Sequence, residues 1–232
     1  MTPRRQVLRV VALLSLGALA SCNCLIAQVG HPPSASPYRD IPRARGPVFA
    51  IGYLPGAEGT AGVGLTNITT IGARYDVPLG SVMRISFGLF YGMGERFVVD
   101  PTKDTATRKS GPEPDGFLLA DGEVQLLITG GKTWHGIAPY VVGGAGFLAG
   151  GGEPAADTSD YQLSTSFVFD GGAGVRWYPS RRLSVQLDTR VFLLKLRYPG
   201  DFLFPPQAPP VTDVQDEWTR QPWFRVGVGW TF

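Results

Sequence analysis

Few residues of this 232-residue chain have the types and spacing that catalysis or metal binding needs. Histidine occurs only at His31 and His135, which is too few for a zinc site built on converging imidazoles. Cysteine occurs only at Cys22 and Cys24, so everything from Gln28 onward lacks a thiol. That part can form no disulfide and no thiolate metal site. Gly144-Ala145-Gly146-Phe147-Leu148-Ala149 matches a loose G-x-G-x-x-A fingerprint. Gly150, Gly151 and Gly152 follow it, so no helix begins there to offer its N-terminus to a phosphate. These read instead as strand glycines. Gly130-Gly131-Lys132-Thr133 resembles the end of a phosphate-binding loop but has Leu126 where the first glycine must stand. The Asn67-Ile68-Thr69 sequon is an acceptor only in eukaryotic secretion.

The charged residues carry a different chemistry. Arg74, Asp76, Arg84, Asp121, Glu123, Asp170, Arg176, Asp188, Arg190 and Arg225 lie inside otherwise apolar segments, five of each sign. Each occupies the parity opposite to the large apolar side chains of its segment. A period of two sends alternate residues to opposite faces of a strand. The ten therefore share one face, where opposite signs can neutralise one another.

The elements that must position them are strands near 47 to 55, 66 to 77, 82 to 92, 117 to 129, 134 to 148, 164 to 177, 183 to 197 and 221 to 232. Each is a segment of about ten residues or more, bounded by turn formers. The uncharged face carries Phe49, Ile51 and Tyr53; Ile71, Ala73, Tyr75 and Val77; Met83, Ile85, Phe87, Leu89 and Tyr91; and Val124, Leu126 and Ile128. Phe167, Phe169, Val175 and Trp177 continue it, as do Leu183, Val185, Leu187, Val191 and Leu193. In the strand from 134 to 148 both parities are equally apolar or small, and the reading adopted puts Tyr140 and Val142 outward. A midplane Arg or Lys facing lipid costs about 2 to 4 kcal/mol, whereas an apolar band with aromatic rims is what a bilayer accepts.

Pro78-Leu79-Gly80-Ser81, Gly130-Gly131-Lys132-Thr133 and Pro179-Ser180-Arg181-Arg182 are tight turns. They alternate with longer connections at 56 to 65, 93 to 116, 149 to 163 and 198 to 220. Eight strands with this alternation predict an all-β, antiparallel, up-and-down transmembrane barrel with its turns in the periplasm and its loops outside. In the last segment Phe224, Val226, Val228, Trp230 and Phe232 share the outward parity.

The N-terminus is consistent with export. Arg4, Arg5 and Arg9 precede an apolar run from Val10 to Ala20, which is the form of a secretory signal peptide and is too short to span a bilayer as a helix. Residues 1–27 are taken as the signal peptide, with Ala18-Leu19-Ala20, Leu25-Ile26-Ala27 and the lipobox-like Leu19-Ala20-Ser21-Cys22 as competing processing sites. Residues 28–45, rich in Pro, Ser and Arg, read as a flexible periplasmic arm, and 46–232 as the barrel. The formal charge of +2 falls when Arg4, Arg5 and Arg9 are removed, leaving 18 basic against 19 acidic residues. No electrostatic footprint for nucleic acid remains.

The segments Pro139 to Phe147, Gly171 to Tyr178 and Leu183 to Arg190 resemble the later strands of small eight-stranded outer-membrane β-barrels, the superfamily of the outer-membrane protein A membrane domain and the opacity proteins. The resemblance covers about 46 to 232 and rests on glycine-aromatic strand patterns. It implies location in the outer membrane of a Gram-negative-type envelope, with lipid as partner. It also implies that the assembly machinery reads Phe224, Val226, Val228, Trp230 and Phe232 as its signal. No catalytic residue, metal or cofactor comes with it. Lipid-modifying barrels need a base near the outer leaflet, and His135 is placed at the opposite rim. The function expected is structural or surface-interacting, through the loops, with no extracellular partner identified. A narrow-pore channel and a secreted soluble ligand-binding barrel are the alternatives. The latter would need an apolar interior and a polar exterior, the reverse of the parity here.

Overall fold

Alternation of large apolar with small or polar residues becomes a closed sheet in the computed structural model, which describes residues 36–41, 45–151 and 161–232. The chain divides into units 1–36 and 37–232, and the second is the barrel. The signal peptide, its processing sites and most of the N-terminal arm lie outside the described residues.

The strands are β1 (Tyr38–Asp40), β2 (Gly46–Gly56), β3 (Thr66–Leu79), β4 (Met83–Val99), β5 (Lys109–Leu127), β6 (Lys132–Trp134), β7 (Ile137–Gly150), β8 (Ser166–Trp177), β9 (Leu183–Arg197) and β10 (Asp216–Trp230). One helical turn, α1 (Gly200–Leu203), precedes β10. Eight of the strands form the wall in the order β2, β3, β4, β5, β7, β8, β9, β10, each antiparallel to its neighbours. β10 then pairs with β2, placing Arg225 opposite Gly52 and Val228 opposite Phe49. This closure leaves the wall no open edge, so its backbone groups are paired without water, as a membrane requires.

At one end, called the turn end, β3–β4, β5–β7 and β8–β9 are joined through 80–82, 128–136 and 178–182. Gly80, with φ of 77°, takes a left-handed conformation there that side chains resist. The other end, the loop end, carries 57–65, 100–108, 198–215 and, of the β7–β8 connection, the described residues 151 and 161–165. Outward side chains along every wall strand are apolar or small through the middle. Trp134, Trp177 and Trp230 lie near the turn end and Tyr53, Tyr91 and Trp218 near the loop end, all exposed.

Three features depart from the sequence reading. The outward parity of β7 is the reverse of that adopted: Tyr140 is fully buried and Val142 is buried, while Val141 and Phe147 face out. Register requires it, because Val141 pairs with the outward Leu126, and the Tyr140 hydroxyl donates to Asp188 inside at 3.0 Å. Second, much of the expected 93 to 116 loop is strand. β4 and β5 continue to Val99 and from Lys109, stapled by the Arg96–Asp115 ion pair at 2.8 Å. Their mixed charges hide an alternation in which Arg96 and Val98 point in. Third, part of the 28–45 arm is held rather than free. β1 pairs with β6, Arg39 opposite Thr133, and Ile41 packs with Leu127, Ala138, Tyr140 and Val142 under the turn end.

Because Leu89 and Leu187 are exposed on the outer face near mid-height, Leu89→Arg and Leu187→Arg each place a cation in hydrocarbon. We expect each to destabilise the barrel by about 2 to 4 kcal/mol in denaturant titrations from lipid vesicles. Wild-type stability for both would contradict the assigned parity.

Candidate functional site

The interior at mid-height is built from residues that β3, β4, β5, β8, β9 and β10 turn inward. Arg74, Asp76, Arg84, Asp121, Glu123, Asp170, Arg176, Asp188, Arg190 and Arg225 are all at most 8% exposed. Glu123 is the hub. It accepts from Arg74 at 3.1 Å, from Arg190 at 2.6 and 3.0 Å, from Arg225 at 2.9 Å and from the Gln125 amide at 3.3 Å. Arg190 also donates to Asp170 and to Asp188, each at 2.7 Å. Asp188 accepts in turn from Arg225 at 3.0 Å. Towards the turn end, Asp76 binds Arg176 at 2.7 Å and Arg74 at 3.2 Å, and Ser86 donates to it at 2.8 Å. Gln125 accepts from Arg176 at 2.8 Å, and Gln186 accepts from Arg74.

Guanidiniums are the right cations for such a network, since one planar fork reaches two carboxylates. Space comes from glycines on the same face. A Cβ on Gly144 would stand 2.7 Å from Asp170 Oδ2, and one on Gly174 2.6 Å from the Tyr140 ring. The G-x-G-x-x-A stretch is thus a cradle for carboxylates in a strand. Asp121 is the exception in the network: neither of its buried carboxylate oxygens has a hydrogen-bond partner.

Above this ionic layer, towards the loop end, the bore is mainly apolar, with Thr70, Thr219 and Gln221 also turned inward. Trp223 is met edge-on by Phe90 at 5.5 Å and Phe192 at 5.6 Å, and its indole N–H donates to Thr70 at 3.2 Å. The Arg225 guanidinium lies 4.4 Å from the Trp223 ring centroid, joining the two layers by a cation–π contact. Leu119, Leu148 and Val168 complete the layer, and Val63, Leu65, Tyr161, Leu163 and Phe202 from the loops lie over it in one buried cluster. In the connection before β10, Phe202 is buried in this cap while Phe204 projects, 81% exposed.

Polar clasps tie the loops together. Glu217 accepts from the Thr60 amide at 2.8 Å, the Thr60 hydroxyl at 2.9 Å and the Tyr198 hydroxyl at 2.8 Å. Lys109 binds Glu58 at 2.7 Å, and Arg108 donates to the carbonyls of Pro209 and Pro210 at 3.3 Å. Burial, reinforced by the hydrogen bond to Glu217, pushes the Tyr198 phenol up to about 12. His135 is exposed at the turn end beside Trp134. Among the described residues no group of three His, Cys, Asp or Glu side chains is placed to hold a metal ion.

The network members that charge does not reveal are Tyr140, Ser86, Gln125, Gln186 and Thr70. Parity along their strands is the signal that finds them, and it fails only for Tyr140. Arg96 and Asp115 escape because their segments read as loop.

Among solved structures, the outer membrane protein OprG of Pseudomonas aeruginosa superposes with a TM-score of 0.53 at 11% identity, over 83% of this chain and 98% of that one. This chain has the fold of a small outer-membrane β-barrel. The N-terminal barrel domain of Pseudomonas aeruginosa OprF (TM-score 0.43, 14% identity, 84% of this chain and 100% of that one) is among the other matches. Ail of Yersinia pestis is another (TM-score 0.37, 15% identity, 81% and 99%). No family model and no curated protein matches the sequence. On β10 Phe224, Val226, Val228 and Trp230 form an exposed outward row, and Phe232, just beyond the strand, is exposed as well.

Glu123→Gln strips a charge partner from three buried arginines. We expect a loss of about 3 to 5 kcal/mol in denaturant titrations of the folded barrel. Asp121→Asn changes a buried carboxyl group whose oxygens have no hydrogen-bond partner and is expected to leave stability unchanged or raised. Equal losses for the two would contradict the hub assignment. The Tyr198 phenol, ordinarily near 10, is expected to ionise in the folded barrel only near pH 12. The unfolded chain loses this proton first, so the clasp contributes fully below pH 10 and its contribution is lost as pH rises through about 12. Comparing phenolate absorbance of wild type and Tyr198→Phe measures this.

Proposed function

We propose that the chain is a non-catalytic outer-membrane barrel that serves as a sealed scaffold and acts through its loop surface. The observation that carries this reading is the burial of the ten interior charges. A water-filled bore leaves its lining side chains wet, whereas each of these is at most 8% exposed. An eight-stranded wall encloses only the volume that side chains fill. Here two layers fill it, ionic at mid-height and aromatic above. The narrow-pore alternative is disfavoured by Trp223, Phe90 and Phe192, which pack together between the ionic layer and the loops.

A soluble ligand-binding barrel is disfavoured by the outer surface, where Phe49, Ile51, Phe87, Leu89, Leu187, Val226 and Val228 are exposed. Lipid is the solvent that suits that surface. The turn end faces the periplasm in this reading and the clasped loops face outward, where binding on a rigid scaffold usually resides. The exposed Phe224-to-Phe232 row on β10 is the face we assign to recognition by the assembly machinery.

Reconstituted into planar bilayers, the barrel is expected to give no stepwise conductance. Steady channel openings by the folded protein would overturn the sealed-scaffold reading. Deleting Phe232 is expected to reduce membrane-inserted barrel in cells, scored by the mobility difference between unheated and boiled samples. Unchanged levels would remove the recognition role from that row without affecting the scaffold reading.

A further inference from the structure

The two ends of the barrel differ in charge. At the turn end Arg39, Arg45, Lys132, Arg181 and Arg182 are exposed, and none of them has an ion-pair partner among the described residues. Against them stand only the exposed Asp40 and the carboxyl group of Phe232. The loop end, by contrast, is mixed, with Lys103, Lys109, Arg197 and Arg220 exposed beside Glu95, Asp104, Asp201, Asp213 and Asp216.

The cations are also grouped around the rim. Lys132 and Arg39 lie on the β6–β1 ribbon, where Lys132 is opposite Asp40 and Arg39 opposite Thr133. Arg181 and Arg182 form the β8–β9 turn, and their carbonyls accept from Thr231 just beyond Trp230. Arg45 accepts from the Phe232 amide through its own carbonyl at 3.2 Å. The arc therefore runs from β6 past β8 and β9 to β2. The β3–β4 turn, Leu79 to Val82, carries no charge.

Each cation lies near an exposed tryptophan. Lys132 is two residues from Trp134, and Arg39 is next to Tyr38, which pairs with Trp134. Arg181 and Arg182 come shortly after Trp177 and are bonded to Thr231 beside Trp230, and Arg45 is next to Gly46, which abuts the Trp230 backbone. Tryptophan marks the headgroup boundary of a bilayer, and long basic side chains just beyond it extend their charge to the phosphate level. We propose that this arc is a binding surface for anionic phospholipid headgroups, with the arginine forks engaging phosphate oxygens. A basic residue near an anionic membrane surface contributes about fivefold to association at modest salt, so a cluster of five selects strongly for anionic over zwitterionic lipid. A periplasmic polymer rich in carboxylates is the competing partner, but it would not require the cations to follow the aromatic row.

The test uses the folded barrel in vesicles of phosphatidylcholine containing a minority of phosphatidylglycerol, with spin-labelled forms of each lipid as probes of the protein-bound shell. Wild type is expected to enrich phosphatidylglycerol several-fold. That preference should fall to near unity in the variant with Arg39, Arg45, Lys132, Arg181 and Arg182 all changed to Gln, and in wild type at about 1 M salt, where the Debye length is about 3 Å. Changing Lys195, Arg197 and Arg220 at the loop end to Gln is expected to leave most of the preference, since Asp216 already lies 2.6 Å from Lys195 and 3.9 Å from Arg197. Heat-shifted gel mobility checks folding. If the fivefold variant does not fold, Arg181→Gln with Arg182→Gln and the salt titration of wild type decide the matter. Equal affinity of wild type for both lipids, a preference that survives in the variant, or binding of soluble peptidoglycan fragments without lipid preference would each overturn the proposal.

Discussion

If the apolar outer band is set in lipid, as proposed above, the arrangement that the rest of the structure depends on is the one that keeps five cations and five anions inside while the outward positions at mid-height are apolar or small. A strand offers only two faces. Once the outward one is committed to lipid, every charge must go inward, and the inward face of an eight-stranded barrel is too narrow for water to solvate them individually. They must solvate one another. The network around Glu123 is the result: three arginines converge on one carboxylate, and two of them, Arg190 and Arg225, also hold Asp188. Such a network is costly to disrupt at any one member, yet replaceable in principle by apolar packing. Its chief effect is therefore to fix register and fill the bore.

The aromatic layer above it has a different origin. Towards the loop end the inward residues change from charged to mainly apolar, and Trp223 packs edge-on with Phe90 and Phe192. Loop residues Val63, Tyr161 and Phe202 continue that apolar column, so the loops are anchored by burial as well as by the Glu217 and Arg108 clasps. The loop surface is thus presented on a support held from inside. At the opposite end, Ile41 and β1 lie under the ionic layer.

The wall and its inner face were legible in the sequence because charge marks parity without ambiguity: one Arg or Asp fixes the phase of a whole strand, and seven of the eight wall strands either carry one or show clear alternation. β7 has neither. Its two faces, Pro139-Val141-Gly143-Ala145 and Tyr140-Val142-Gly144-Gly146, are equally apolar or small, and only the partner strands decide between them. The Asp188 carboxylate then accepts from Tyr140 inside. The upward extension of β4 and β5 was hidden for another reason. In the β4 extension charged and apolar residues share the inward face, as Arg96 and Val98 do, so the period that identifies the wall strands is blurred. The loop clasps join residues as far apart as Thr60 and Glu217 and leave no local trace.

The sealed, mutually solvated interior is most directly tested by chemical access to it. From Gln28 onward the chain has no cysteine, so a Ser86→Cys variant places a single thiol among the buried groups of the ionic layer. The account expects that thiol to resist a small, water-soluble, membrane-impermeant maleimide from both sides of a vesicle and to react fully once the barrel is unfolded. Rapid modification of the folded barrel would show that water fills the bore and would contradict the account.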